Sequence, residues 1–495
     1  MFNKILILFV LLFSLIQTRN VLAHSNTRYH QYYLESKNIY NTILNSWNDG
    51  SALKDINNIA GGIVWGEAYI LESLLEMYEA TKDTSYLAIF IEHANAVYNN
   101  RDDKAGIKDH LGNVGIGWLT GGQFTLGKPI IVLDDIQLPS LKLQAVRYGN
   151  NNRTSFSIDN NLDDKSFSIE VWNDKIGAKR VYSELTMQNI EEKINKNLSP
   201  SSLLMVRSLG KNIPTKVISR RFKTFKTRLK SFHNPIICTP YVRFAVLVDK
   251  YHLGKYKDKA KLYSQFAEEC AESYLYLWKD ELTTGYFLVE DNKYFWMSNL
   301  PVPHNILSAN GTFFLYLYLA TGKGIYKNIF EKIGSKISLS ITKNSSGKIT
   351  QNYAYGKLYN GWEDWSESIY KNYIGSKHIE DNPHFSHTMR FIWEAQKHFN
   401  LFDKTVLHSL TAIFNSSYSM ESLSHKVDGT GVKSFSNEAA GAFSLLGIMD
   451  HSIVDKCFLI YKKNYVDSQK GVVLLGWARL ANMSKQINDD LSTNE

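Results

Sequence analysis

A pattern that returns along the chain constrains its fold most. Residues 76–97 read EMYEATKDTSYLAIFIEHANAV, residues 316–336 read YLYLATGKGIYKNIFEKIGSK, and residues 248–269 read VDKYHLGKYKDKAKLYSQFAEE. Each is a helix end carrying aromatics, then a short polar turn, then a Tyr that opens a second helix. In the first two, Thr81 and Thr321 stand five residues before Tyr86 and Tyr326. Fainter copies lie at 394–414 and 441–465. Helix, turn, helix in recurrence signals an α/α repeat, because one hairpin cannot bury its apolar face alone. Within GEAYILESLLEMYEA, the apolar Ala68, Leu71, Leu74, Leu75 and Tyr78 keep a helical spacing.

One stretch breaks the pattern. Between about residues 137 and 220, LKLQA, TSFSID and KSFSIEVW alternate apolar and polar residues with period two. NNLDDK separates the last two runs, which predicts a β-hairpin with its loop at 160–165. SSLLMVRSL offers a further strand. The organisation expected is mainly α: N-terminal hairpins over 24–136, a β-rich insertion over 137–230, and remaining hairpins over 231–495. A basic run with interleaved aromatics, RRFKTFKTRLK, closes the β segment at Arg220–Lys230. It reads as a solvated face or as a contact for an anionic chain.

The start of the chain bears on compartment. Lys4 precedes an apolar run from Ile5 to Ile16, and Val21-Leu22-Ala23 offers small residues for cleavage. This predicts a signal peptide over 1–23 and a secreted or periplasmic protein, with no membrane partner after cleavage. Losing Lys4 and Arg19 lowers the formal charge from +8 to +6. That surplus is too mild for nucleic acid to be the expected partner. Cys238, Cys270 and Cys457 are too few for a disulfide framework.

The hairpins, the WGEAY motif with its following Thr-to-Tyr turn, and LPVPHN leading into a TG turn resemble the (α/α) toroid carbohydrate-active proteins. These are the six-hairpin glycosidases and the toroid polysaccharide lyases. The likeness covers roughly 30–135 and 235–485 and leaves the β segment outside. It implies a cleft at one end of a toroid that binds a sugar chain. It does not assign the catalytic residues.

Candidate residues come from the helix junctions. Trp65 and Glu67 open an amphipathic helix; a Trp ring can stack on a sugar face, and Glu67 can sit near a helix N-terminus. RDDKAG places Asp102 and Asp103 in a turn, and KDHLGNVGIGWL carries His110 and Trp118. Two prolines deliver His304 and Asn305 to a helix entrance. His233 and Asn234 precede Pro235, with Tyr241 and Arg243 beyond Pro240. The densest stretch, YAYGKLYNGWEDWSES, holds Tyr355, Trp362, Glu363, Asp364 and Trp365. Aromatics with carboxylates between them suit a sugar cleft, and equally suit a packed turn with an acidic edge.

SKHIEDNPHFSHTMRFIW stands apart. Pro383 suits a first helical turn, and Asp381 or Asn382 suits its cap. Capping leaves His384 and His387 unexplained, and their spacing projects them to similar sides of a helix. With Glu380 and Asp381 they form the expected catalytic group, an imidazole oriented by a carboxylate, and Glu363, Asp364 and Tyr355 are the further catalytic candidates. The same residues could hold a divalent ion, although no cofactor is expected. Two chemistries fit. A lyase or epimerase acting on a uronate needs a group to neutralise the carboxylate and a Tyr or His base for the C5 proton. A glycoside hydrolase needs two flanking carboxylates. His–Asn pairs, abundant Tyr and the basic balance favour the first. A glycan-binding protein without catalysis is a third reading. The partner expected throughout is a polysaccharide or oligosaccharide.

Overall fold

The computed structural model describes residues 27–46, 57–161, 163 and 165–493. The signal-peptide expectation falls on residues outside these. No helix among the described residues is long and apolar enough to cross a membrane.

The helices form a closed ring. Its inner members are α2 (Ala68–Thr81), α4 (Lys230–Lys250), α6 (His304–Thr321), α8 (Asn382–Phe399), a broken segment over Ser434–Ile448, and α11 (Gly471–Thr493). Each packs on the next, and α11 returns to pack on α2. The outer members are α1 (27–46), α3 (Ser85–Asn99), α5 (Lys257–Glu272), α7 (Gly324–Ser340), α9 (Lys404–Ser417) and α10 (His451–Asn464). The helix α1 leans on the ring through Tyr40, whose hydroxyl lies 3.0 Å from that of Ser73, and through Glu35, 2.9 Å from Lys462. This is the (α/α) toroid that the repeated hairpins predict. Where the broken segment meets α11, a Cβ on Gly441 would stand 2.4 Å from the Cα of Gly476, so the approach requires the missing side chain.

Local chemistry sets several helix ends. Asp381 caps α8 by accepting a hydrogen bond from the His384 N–H, with Pro383 in the first turn, as the sequence predicts. Helix α4 is a departure. It starts at Lys230 and runs straight through Pro235 and Pro240, which the sequence reading set at its boundary. Each interior proline costs about 3 kcal/mol in an isolated helix. Here the segment is buried nearly throughout, and packing on α2, α5 and α6 outweighs that cost.

The two faces of the ring differ. Connections from inner to outer helices are tight, as at 82–84, 322–323 and 400–403. Connections from outer to inner helices are long: 100–229, 273–303, 341–381 and 418–433. All of these reach the face where the inner helices have their N-termini. Loops carry function more often than the elements they join, so this face is where a site belongs.

The longest connection contains a β-sandwich. One sheet has strands β1 (Ile130–Leu133), β2 (Pro139–Ala145) and β6 (Leu204–Ser208). The other runs in the order β5 (Ala178–Leu185), β4 (Ser166–Asn173), β3 (Thr154–Asn161) and β7 (Val217–Arg221). The β3–β4 hairpin has its loop where the alternation placed it. The sequence reading missed β1, whose IIVL run is too short to show a period. Both sheets feed one core containing Leu141, Leu143, Phe156, Ile169, Val171, Leu204 and Val206.

The axis of the ring holds charge instead of hydrocarbon. Glu72, Glu76 and Glu79 point inward from α2 at helical spacing. Arg243 on α4 reaches Glu72 and Glu76, each at 2.8 Å, and also bonds Glu79. Arg390 on α8 pairs with Glu72 at 2.7 Å, and Asn482 on α11 donates to Glu76 at 2.7 Å. Burial opposes ionisation of Glu79, but Arg243 and Lys397 hold its pKa down to about 2.

Candidate functional site

A wide helical turn over Ile63–Glu67 leads into α2 and sets the side chains at the ring mouth. Such turns recur at functional sites. Gly61 permits it: a Cβ there would lie 2.5 Å from the Trp65 ring, at a φ of +81°. Trp65 therefore lies over the mouth. Its ring centroid is 6.3 Å from that of His233 and 6.2 Å from that of His387. One turn further along α2, the Tyr69 hydroxyl is 3.2 Å from Nε2 of His387. Phe124, from the loop before the sandwich, packs 5.3 Å from His233. Three distant segments thus bring Trp65, Tyr69, His233 and His387 into one cluster.

The cluster is electrically unusual. Burial, with Arg390, His384 and Arg479 nearby, lowers the His387 pKa to about 3. Burial lowers His233 to about 3, and the Asn58 amide stands 3.0 Å from its Nδ1. Both imidazoles are neutral near pH 7. Burial also pushes the Tyr69 phenol up, with Arg479 and Arg390 countering. Beneath the pair lies a small cavity lined by Tyr69, His387, Arg390 and Thr239. Arg479 stands out among the charges near the axis. It is 6% exposed, its Nε has no hydrogen-bond partner, and no carboxylate lies within salt-bridge distance among the described residues. Burial and Arg390 lower its pKa.

A second cluster sits at the start of α8. Glu380 is 0% exposed and neither carboxyl oxygen has a partner. Burial and the adjacent Asp381 raise its pKa well above the ordinary range. Asp381 moves the other way: burial opposes, but His384 lowers it, its Oδ2 lying 2.8 Å from Nδ1 of that imidazole. Exposure climbs along this line, from buried Glu380 to side chains of Asp381 at 20% and His384 at 46%. Ligand atoms of the three lie within 4.8 Å of one another, so this is the set that could take a cation. His304 is nearby in the fold, donating through Nδ1 to the Asn352 carbonyl at 2.7 Å and lying 4.6 Å from the Tyr355 ring. Burial lowers its pKa to about 4. Asn305 is buried with its Oδ1 unpartnered, and so is the Tyr355 hydroxyl.

Several expected site residues are elsewhere. Glu67 does not reach the mouth; it is buried with Oε1 2.7 Å from His93, because the wide turn directs it outward between helices. Trp118 is core, donating to the Val97 carbonyl at 3.2 Å. Tyr241 is core too, donating to the Ala94 carbonyl at 2.7 Å. Arg243 belongs to the axial ion network. Trp362, Glu363, Asp364 and Trp365 do not line the cavity at His387, and neither does Trp65, whose ring packs on His387 from the side. They occupy a projecting loop, where Trp362 packs on Trp365 and Tyr373 at 4.9 and 4.7 Å. That loop borders its own groove of about 550 Å³ with Glu363 and Asn372. It reaches the sandwich, where the Tyr370 hydroxyl bonds the Val146 carbonyl. The three thiols are free and buried. Tyr69 and Arg479 escaped the sequence reading. Tyr69 was legible as the residue one turn after Trp65, and Arg479 as the lone charge in GWARLANM.

The sequence matches no family model and no curated protein at a significant level. Solved structures with a similar chain path exist. One is an inactive variant of an alpha-1,6-mannanase from Salegentibacter sp. HEL1_6 in complex with alpha-1,6-mannotriose. It has a TM-score of 0.47 and 9% identity, with 92% of this chain and 99% of that chain covered. Another is a family 105 glycoside hydrolase of C. acetobutylicum ATCC 824, with a TM-score of 0.41 and 9% identity, covering 91% and 99%. A family 76 glycoside hydrolase from a bovine Bacteroides thetaiotaomicron strain follows at a TM-score of 0.31 and 9% identity, covering 74% and 99%.

Proposed function

We propose that the protein cleaves glycosidic bonds in a polysaccharide laid across the long-connection face. The observation that supports this most is the convergence of Trp65, Tyr69, His233 and His387 at the N-terminal ends of the inner helices. A stacking ring, a hydroxyl and neutral imidazoles are grouped there above a small cavity.

Hydrolysis is the first chemistry. It takes two carboxyl groups, one holding a proton and one ionised. Glu380 and Asp381 are neighbours whose pKa values move in opposite directions, the pattern that marks acid and base assignments. Glu380 is fully buried with neither oxygen hydrogen-bonded, so Asp381 with the half-exposed His384 is the part of the cluster that a sugar chain can meet. Hydrolysis is also what the glycoside hydrolases of similar chain path are named for. β-Elimination from a uronate is the second chemistry, and Arg479 favours it. An unpaired buried guanidinium suits the sugar carboxylate, and the Tyr69–His387 pair suits removal of the neighbouring proton.

One experiment separates the readings. Purified protein is incubated with a panel of neutral and uronate polysaccharides, and reducing ends and ultraviolet absorbance are followed together. New reducing ends without absorbance mean hydrolysis. Both together mean elimination. Binding with neither product overturns cleavage and leaves a glycan-binding protein.

A further inference from the structure

Beside the ring mouth lies a groove that cleavage chemistry does not use. Its volume is about 500 Å³, and Lys108, Lys128, Lys223 and Lys226 line it with His110 and Asn152. The backbone explains why they meet. Gly127 pairs with Thr224 as an antiparallel bridge, and the Lys128 N–H donates to the Lys223 carbonyl at 2.6 Å. The turn at 108–113 is pinned from the other side, where His110 Nδ1 donates to the Lys226 carbonyl at 2.7 Å. Lysines from three separate segments are thus held along one channel.

None of the four ammonium groups has a carboxylate partner among the described residues. The one acid in the lining, Asp109, is engaged by Arg228, which also binds Asp102 at 2.7 Å. Lys293 adds a fifth charge over the Tyr294 ring, 5.4 Å from its centroid. Five unpaired lysines are a large share of a formal surplus of +8. Some exposed lysines elsewhere are matched, as with Lys179–Glu170 and Lys216–Asp159; what sets the groove apart is that its lysines share one channel.

We infer that this groove binds an acidic glycan, holding a negatively charged chain that continues into the ring mouth. The inference rests on the reading of that face as glycan-cleaving. Three features select this occupant. The charges are spread along a channel, which suits repeated negative charges; one phosphate would want converging Arg forks or backbone N–H groups. The rings of His110, Tyr294 and Phe225 pack on one another at 4.0 to 5.3 Å, so they are not free faces for stacked bases. The channel is concave, which does not suit a bilayer. Continuity with the mouth runs through the 121–125 loop: the Gly122 N–H donates to Thr224 in the groove at 2.9 Å, and Phe124 packs on His233 in the mouth.

The test uses the full chain and oligogalacturonate of defined length, with an uncharged gluco-oligosaccharide of equal length as control. Binding is measured by calorimetry across a salt series. The variant carries Lys108→Ala, Lys128→Ala, Lys223→Ala and Lys226→Ala, and its melting temperature shows that it folds. The expected result is a loss of about tenfold or more in affinity for the acidic chain, with a flatter salt dependence. Unchanged affinity in the variant, salt-independent binding, or tighter binding of single-stranded DNA or anionic vesicles than of the glycan would each overturn the inference. A panel in which no polysaccharide is cleaved, while acidic-chain binding still depends on the lysines, upholds the groove and removes only the cleavage reading.

Discussion

The Tyr69 hydroxyl stands 3.2 Å from Nε2 of His387, although 318 residues separate them in the chain. The contact crosses the ring mouth from α2 to α8. It pairs a phenol with an imidazole that burial keeps neutral. A neutral imidazole can accept a proton, and a phenol can hand one on.

Tyr69→Phe and His387→Ala therefore separate the two chemistries. With elimination at this pair, each lowers turnover by roughly two orders of magnitude or more while binding and melting temperature are kept. With hydrolysis at the α8 start, Asp381→Asn carries that loss instead. Steady-state rates on one cleaved polysaccharide decide it. Full activity in all three variants sinks both assignments.

Stability should fall in mild acid. His233 and His387 titrate near 3 and His304 near 4 in the fold, against about 6.5 for an unfolded imidazole. The native state binds fewer protons than the unfolded state in this window. Stability is full above about pH 6.5 and is lost as pH falls toward those values. Three such groups give a slope of up to about 4 kcal/mol per pH unit. Denaturant midpoints measured from neutral pH downward check it, and a flat profile above about pH 5 would contradict it.

Glu380 predicts the opposite sign. Its folded pKa is raised, so the native state holds a proton that the unfolded chain releases above about 4.3. Its contribution is present below that value and is lost as pH rises. Glu380→Gln keeps the shape and removes the titration. The variant should melt higher than the parent at neutral pH, and the gain should vanish near pH 4. An equal effect at both pH values would mean that Glu380 does not hold its proton.

Arg243→Met tests the axial network. The substitution leaves Glu72, Glu76 and Glu79 without the guanidinium that touches all three. Removing one partner of a buried network typically costs about 3–5 kcal/mol. Urea unfolding should show a loss of that order. A change under about 1 kcal/mol would mean that Arg390 and Lys397 compensate.

The hairpins were legible because their turns are local, and so was the β3–β4 pairing, whose period two survives in the strands. The α8 cap was legible for the same reason: Asp381 and the His384 N–H are three residues apart. What failed was anything decided by the ring. Arg243 reads like a cleft residue until its three counter-charges arrive from another helix. Glu67 reads like a cleft acid until the wide turn rotates it away. Trp362 and Trp365 look like part of the mouth because they lie close before α8 in the chain, yet the loop carries them outward. Spacing tells which residues share a helix face, but not which face meets the axis.

Closure of the ring also bears on the order of assembly. Glu72, Glu76 and Glu79 are made early on α2, whereas Arg390 and Asn482 come from α8 and α11. A chain emerging N-terminus first therefore carries three carboxylates on a helix face with much of their complement still to be synthesised. Until α11 docks, α2 has no neighbour on one side and its acidic stripe stays wet. Those charges keep the incomplete ring hydrated, which opposes premature collapse and aggregation during a slow, long-range folding reaction.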